Sequence, residues 1–287
     1  MPTIVLAANE SYRRLAAALL ASLVEHDRDQ LHRLQVILLD TGFLNRTRIL
    51  LKDWARDVGL RLQIITVSPG LFRELLGKDV IIPKDFPYYA RLLGPHLVDV
   101  DRIAYLDADI LVLSSIMDLF ETNLEQKVVA ACIEPNVRTF AHETAGIPNY
   151  CELGIPAETP YFNSGVLLVD VVLWRQVGIS AKVLKINADN APHVTSWDQY
   201  GLNIALQNQW LELPAAWNET VQVEQGVTHL RHFAWKKPVS NSHVPDADLF
   251  FRYLDKSPYA GWRPTHKGRI RRKIGDALIR TLRYFGL

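Results

Sequence analysis

Cysteine is scarce. Cys132 and Cys151 are the two in 287 residues, too few for a disulfide framework and without the CxxC spacing of a zinc or redox site. A reducing compartment fits that usage. Long apolar stretches are missing as well: the longest strongly apolar uncharged run, Leu15 to Val24, is about half the ~20 residues a membrane-spanning helix needs. The opening residues, Met1-Pro2-Thr3-Ile4, lack the basic segment and cleavage pattern of a secretory leader, so a cytoplasmic location is expected. No GxGxxG follows the first apolar run, which disfavours a dinucleotide cofactor. There is no fixed-period repeat and no low-complexity segment.

What is present describes an enzyme-sized globular protein. Hydrophobic residues make up 48% and charged residues 22%, enough to bury a full core and far from the composition of disorder. The length fits one large α/β domain or a domain with an appendage. The net charge of +1 is unevenly spread: Arg263 to Leu287 holds eight Lys or Arg and one acid, Asp276, leaving 24 bases against 30 acids before it. The expected division is a globular domain over 1–262 and a basic tail over 263–287.

Thr3 to Ala8 is apolar and rich in β-branched residues, and a helical stretch with Leu15, Leu19 and Leu23 on one face follows it. Leu34 to Leu39 and Leu60 to Thr66 repeat the strand signal around a helical Asn45 to Asp57. Further strands are predicted at Ile103–Leu106, Val128–Ile133 and Gly165–Val169, with helices at Ser180–Asn187 and Asp198–Leu206. Such alternation predicts an α/β fold with a Rossmann-like, mostly parallel sheet flanked by helices. Glu134 to Pro160 has no clear periodicity and reads as a long excursion from the sheet, the kind of loop that tends to be functional.

Tyr105-Leu106-Asp107-Ala108-Asp109 sets two carboxylates two residues apart at the end of an apolar strand, where alternate side chains share a face. Ligands of open α/β sheets bind outside the carboxyl ends of the strands. Oxygen ligands suit Mg²⁺ or Mn²⁺, and an added imidazole favours Mn²⁺. A bare Asp-x-Asp is common. Aspartyl phosphatases carry the same pattern with one acid as nucleophile, but normally near the N-terminus, whereas about a hundred residues of α/β pattern precede it here.

Several further motifs lie in order: Ile4-Val5-Leu6-Ala7-Ala8-Asn9 through Tyr12, Tyr89-Ala90-Arg91-Leu92, Tyr105 to Leu111, Phe162-Asn163-Ser164-Gly165-Val166-Leu167-Leu168 with Trp174, Asp198-Gln199, Trp217-Asn218, and a late His before Lys236-Lys237-Pro238. Together they resemble family 8 glycosyltransferases over about residues 3 to 240. The resemblance implies a GT-A fold, a UDP-sugar donor, Mn²⁺ (with Mg²⁺ as the alternative) and retention of anomeric configuration. Residue by residue it implies that Ala7, Asn9 and Tyr12 hold the uridine, Arg91 approaches the donor, Asp107 and Asp109 bind the metal with Ala108 beside the donor between them, Asn163, Asp198 and Gln199 surround the transferred sugar, and Lys237 meets the pyrophosphate. Asn9 stands where relatives often carry Asp. The late motif, His229-Leu230-Arg231-His232-Phe233-Ala234-Trp235-Lys236-Lys237-Pro238, lacks the family's Gly. It leaves two imidazoles as third metal ligand, His232, favoured by the aromatic after it, and His229.

The resemblance thus implies a retaining transfer of a hexose, glucose or galactose, from a UDP-sugar to a saccharide or lipid-linked saccharide acceptor. The competing readings are a phosphoryl-transfer or phosphatase enzyme using Asp107 and Asp109, and a non-catalytic sugar-nucleotide-binding protein. The residues also allow plainer roles: Trp174 and Trp217 as core anchors, and Asp198 as a helix-start acid favoured by the macrodipole. In the tail, Ile270, Ile274, Leu278, Leu282 and Phe285 recur at helical spacing among six Arg or Lys, the pattern of an amphipathic helix on an anionic membrane surface or packed on the domain. Aromatics are not interleaved through that basic run, so no nucleic acid partner is expected.

Overall fold

The computed structural model describes residues 1–142, 145–220, 227–240 and 243–264. The amphipathic tail expected from the sequence lies outside the described residues from position 265 onward.

A seven-stranded sheet runs through the molecule, built from β1 (Thr3–Ala8), β2 (Gln35–Asp40), β3 (Leu62–Thr66), β4 (Arg102–Leu106), β6 (Val129–Ile133), β7 (Phe162–Asp170) and β8 (Trp210–Glu212) in the order β3-β2-β1-β4-β7-β6-β8. β3, β2, β1 and β4 pair in parallel, β7 runs antiparallel between β4 and β6, and β8 pairs parallel with β6. The expected mostly parallel α/β sheet is therefore present, with one reversed strand. That reversal matters for the site. It brings the amino end of β7, Phe162-Asn163-Ser164, to the same edge as the carboxyl ends of β1, β4 and β6.

The crossover helices are α1 (Arg13–His26), α2 (Asn45–Asp57) and α3 (Pro69–Leu76), followed later by α5 (Val171–Val177), α6 (Ile179–Asp189) and α7 (Trp197–Ala205). The one-faced helix predicted around Leu15, Leu19 and Leu23 is instead buried all round, from Leu15 through Val24. Leu19 and Leu23 join the sheet core, while Leu15 and Ala18 pack with Phe250 and Phe251 of a C-terminal helix, α8 (Ala247–Leu254). A helix apolar on every side needs cover on every side, and each such leucine contributes about 1.5–3 kcal/mol by burial.

A second, three-stranded sheet was not anticipated: β5 (Ile110–Val112), β10 (Leu230–His232) and β9 (Glu219–Thr220), in the order β5-β10-β9. Its register sets His232 opposite Ile110 and Arg231 opposite Leu111. A short helix, α4 (Met117–Phe120), follows β5, and a 3-10 segment spans Phe86–His96. The excursion after β6 packs its own small core, in which Val137, Phe140, Ile147, Ile155 and Tyr161 surround Tyr200 of α7.

Candidate active site

At the edge where β1, β4 and β6 end and β7 begins lies a cleft of about 510 Å³. Its walls include Ala7, Asn9, Tyr12, Arg91, Asp107, Ala108, Asp109, Asn163, Asp198, Gln199, His232 and Lys237. The residues singled out in the sequence, from segments more than two hundred positions apart, meet there. His229 does not join them. Its ring stacks on Trp217, centroids 4.4 Å apart, and its Nδ1 lies 2.8 Å from Ser114 Oγ.

Asp107, Asp109 and His232 each offer one ligand atom within 4.8 Å of the others. The acids converge by a different route from the one predicted. β4 ends at Leu106, and Asp107-Ala108-Asp109 forms a turn, closed by Ile110 N–H donating to Asp107 O at 3.2 Å, rather than a continued pleat. The imidazole arrives through the small sheet, where Phe233 N–H donates to Asp109 O at 3.0 Å.

Neighbours spend the far side of each carboxylate. Asp107 Oδ1 accepts from Tyr105 Oη at 3.0 Å and pairs with Arg91 Nη2 at 3.2 Å, leaving Oδ2 on the His232 side, 3.9 Å from Nε2. Asp109 Oδ2 is paired with the Lys237 ammonium, and its Oδ1 lies 3.3 Å from His232 Nε2. Ligands about 2.1 Å from a divalent ion and at right angles to one another stand about 3 Å apart, so this donor set fits a hard cation with one nitrogen ligand. Burial alone would push the Asp109 carboxyl up; Lys237 and His232 outweigh it and hold the group well below the usual carboxylate range.

A directional chain of hydrogen bonds orients the imidazole. Asn163 Oδ1 accepts from Gly165 N–H at 2.8 Å, which fixes the amide's orientation, and its Nδ2 donates to Glu134 Oε2 at 2.6 Å. Asn218 Nδ2 donates to the same Asn163 Oδ1 at 2.8 Å, so Asn218 Oδ1 faces His232 Nδ1 at 2.8 Å. Nδ1 therefore carries a proton, which reserves Nε2 for an ion held between the acids, the arrangement a metal-bound imidazole requires. Glu134 Oε1, buried in the cleft wall, has no hydrogen-bond partner among the described residues.

Arg91 is the cationic hub. Its Nη1 donates to Ser164 O at 2.5 Å, its Nε pairs with Asp198 Oδ2 at 2.5 Å, and its guanidinium lies 4.6 Å over the Tyr105 ring. Burial would lower its pKa, but Asp107 and Asp198 outweigh that and keep it charged. Asp198, in the first turn of α7, has its pKa pushed up to about 6 by burial, with Arg91 opposing and Asp107 adding to the rise. Gln199 is held at both ends: Oε1 accepts from Ser164 N–H at 2.8 Å and Ser164 Oγ at 3.0 Å, and Nε2 donates to Tyr161 Oη at 3.3 Å. Asn9 Oδ1 accepts from Ser11 and Tyr12 N–H at 2.9 and 3.3 Å, which commits its carbonyl to the turn before α1.

Residues 3–243 match the glycosyl transferase family 8. The chain belongs to that family. As a family 8 glycosyltransferase it is 26% identical over 220 residues to general stress protein A of Bacillus subtilis, a match covering 75% of this chain and 72% of the relative. It is 26% identical over 226 residues to glycosyltransferase GlyF of Streptococcus pneumoniae, covering 77% of this chain and 50% of that one. Among solved structures, the galactosyltransferase LgtC in complex with donor and acceptor sugar analogs superposes with a TM-score of 0.74 at 20% identity, covering 89% of this chain and 96% of LgtC. The shared architecture is the GT-A fold, and the family membership decides against the phosphoryl-transfer reading of the Asp pair.

Sequence reasoning missed Glu134, Tyr105, Tyr161 and Asn218 as parts of the site. Asn218 and Tyr105 stand in the motifs without a role of their own, and Glu134 and Tyr161 carry no local pattern that separates them from core or loop residues.

Proposed function

We propose that this glycosyltransferase moves a hexose from a UDP-sugar to a saccharide or lipid-linked saccharide acceptor, with a divalent cation, Mn²⁺ in first place, and with retention at the anomeric carbon. The observation that carries the reading is the convergence of Asp107 Oδ2, Asp109 Oδ1 and His232 Nε2 on one point of the cleft, flanked by the cations of Arg91 and Lys237. A bound divalent ion would neutralise charge on a diphosphate leaving group. Lys237 and Arg91 add to the same electrostatic stabilisation from fixed positions. Ala7, Asn9 and Tyr12 lie at the β1 end of the cleft, where a nucleoside would extend from the phosphates.

Gln199 supplies no nucleophile, because a neutral amide attacks poorly and both its ends are engaged. We therefore favour attack of the acceptor hydroxyl from the face the leaving phosphate vacates, with that phosphate taking the proton. Glu134 Oε1, without a hydrogen-bond partner among the described residues, lies in the wall as an acceptor suited to a sugar hydroxyl.

UDP-glucose, UDP-galactose and UDP-N-acetylglucosamine, offered one at a time without acceptor, test the reading by metal-dependent hydrolysis. Turnover should need Mn²⁺ and vanish in Asp109→Asn, whose circular dichroism stays native. Activity that persists in EDTA overturns the metal assignment, and a β-linked product by NMR coupling overturns retention. Among the described residues no helix is long and apolar enough to cross a membrane, and membrane contact through the tail, which vesicle sedimentation would test, remains a proposal from sequence.

A further inference from the structure

Trp235 stands exposed at the rim of the cleft, and so do two further aromatic side chains, Tyr88 at 48% and Trp197 at 38%. The rings of Tyr88 and Trp197 stack, centroids 4.4 Å apart and planes 17° from parallel. They come from different elements, the 3-10 segment Phe86–His96 and the first position of α7, so the pair is assembled by the fold. Behind Trp197 a second cavity of about 580 Å³ opens, lined mostly by apolar side chains such as Ile81, Leu184 and Val194. Trp197 and Asp85 line both spaces.

The backbone under the indole is strained. Trp197 has φ +47°, a left-handed conformation that is an outlier for a bulky residue. It is held by the buried Asn187, whose Nδ2 donates to Trp197 O at 2.6 Å and to Tyr89 Oη at 2.9 Å, so one amide secures Trp197 and the neighbour of Tyr88. Asn187 in turn sits over Gly201, where a Cβ would lie 2.3 Å from its Oδ1. Exposing two aromatic faces to water on a strained backbone gains nothing for folding. Such strain gathers where a ligand is clamped.

We propose that the Tyr88–Trp197 pair is a saccharide platform that holds a pyranose ring of the acceptor beyond the one receiving the transferred sugar, with the second cavity taking the continuation of the acceptor chain. A pyranose has an apolar C–H face and a hydroxyl edge. The platform offers the matching surface, aromatic faces beside the carboxylate of Asp85 and the hydroxyls of Thr195 and Ser196. Trp197 directly precedes Asp198 and Gln199, so a ring on the indole is in chain continuity with the proposed transfer site, while the nucleoside end of the cleft lies at β1. The Asp85 carboxylate disfavours a bare acyl chain as occupant. The inference rests on the sugar-transfer reading of the cleft and deepens it on the acceptor side.

Saturation-transfer NMR with maltose, lactose and cellobiose, in the presence of UDP and diamagnetic Mg²⁺, tests it. At least one disaccharide should receive saturation from wild type. Tyr88→Ala and Trp197→Ala, each checked for native unfolding temperature, should weaken that binding by about five- to ten-fold, and Trp197→Phe should restore part of it. Because Trp197→Ala alters the residue beside Asp198, the exposed Tyr88→Ala is the deciding variant. If no disaccharide binds wild type, or if binding is unchanged in Tyr88→Ala, the platform is overturned. UDP binding by wild type is measured alongside: failure to bind UDP with Mn²⁺ sinks the reading of the cleft itself, whereas UDP binding with disaccharide signals indifferent to Tyr88 sinks the platform alone.

Discussion

His232 Nδ1 stands 2.8 Å from Asn218 Oδ1, and that bond turns the ring so that Nε2 faces the carboxylates of Asp107 and Asp109. Asn218 does not touch the proposed metal position. It acts by holding the ring and its tautomer, at the end of a chain that Gly165 N–H and Glu134 orient.

Asn218→Leu should accordingly weaken Mn²⁺ binding by roughly 10- to 100-fold, the usual cost of losing an outer-shell partner. His232→Ala should weaken it at least as much, and His229→Ala should leave it unchanged while lowering stability through the lost Trp217 stack. Manganese titrations by electron paramagnetic resonance measure all three. Equal affinities in the two histidine variants would sink the ligand assignment.

Gly165→Ala is expected to damage the site from the side of β7. A Cβ there would meet His232 Cε1 at 2.4 Å, Asn163 Oδ1 at 2.9 Å and Asp107 Oδ2 at 3.0 Å, and all three side chains are held by hydrogen bonds or ion pairs. The substitution should cost about 1–3 kcal/mol of stability and weaken Mn²⁺ binding. Chemical denaturation and metal titration read the two effects separately, and an alanine variant with native metal affinity contradicts the packing described here.

Gln199→Ala should lower kcat more than it raises KM for the donor, since the amide is fixed between Ser164 and Tyr161 and its proposed contact is with the sugar that changes during reaction. Steady-state kinetics with a donor that wild type accepts provide the measurement. A change confined to KM would count against that role.

Stability should fall on mild acidification through His96. Its Nε2 lies 3.0 Å from Ser180 Oγ, and burial, helped by the charge of Arg175, pushes its pKa down to about 4. An unfolded imidazole titrates near 6.5. Between those values the unfolded chain binds more protons, so stability rises with pH across that window and is lost as pH falls through it, by on the order of 2 kcal/mol. Asp198, with its pKa raised, works in the opposite direction. The readout is therefore the difference between wild type and His96→Gln in urea midpoints at about pH 5 and pH 7, with the slope shallower in the variant. Parallel slopes would contradict the assignment.

The sequence by itself determined the alternation of strands and helices. β1 and α2 occupy the predicted Thr3–Ala8 and Asn45–Asp57, because apolar β-branched runs and helical periodicity are local signals that burial reinforces. It also determined the chemistry on offer, since Asp107, Asp109, Arg91, Gln199 and a late histidine were recognisable as residue types in an ordered set of motifs. Which of His229 and His232 stands beside the two acids was decided only by the tertiary structure, through the pairing of β10 with β5. The two residues differ little in local pattern, and a strand's register depends on a partner more than a hundred residues away. The reversed β7, the burial of α1 on every side and the Tyr88–Trp197 stack have the same origin. Each follows from a long-range contact whose free energy exceeds the local preference, and no window of the sequence contains both partners.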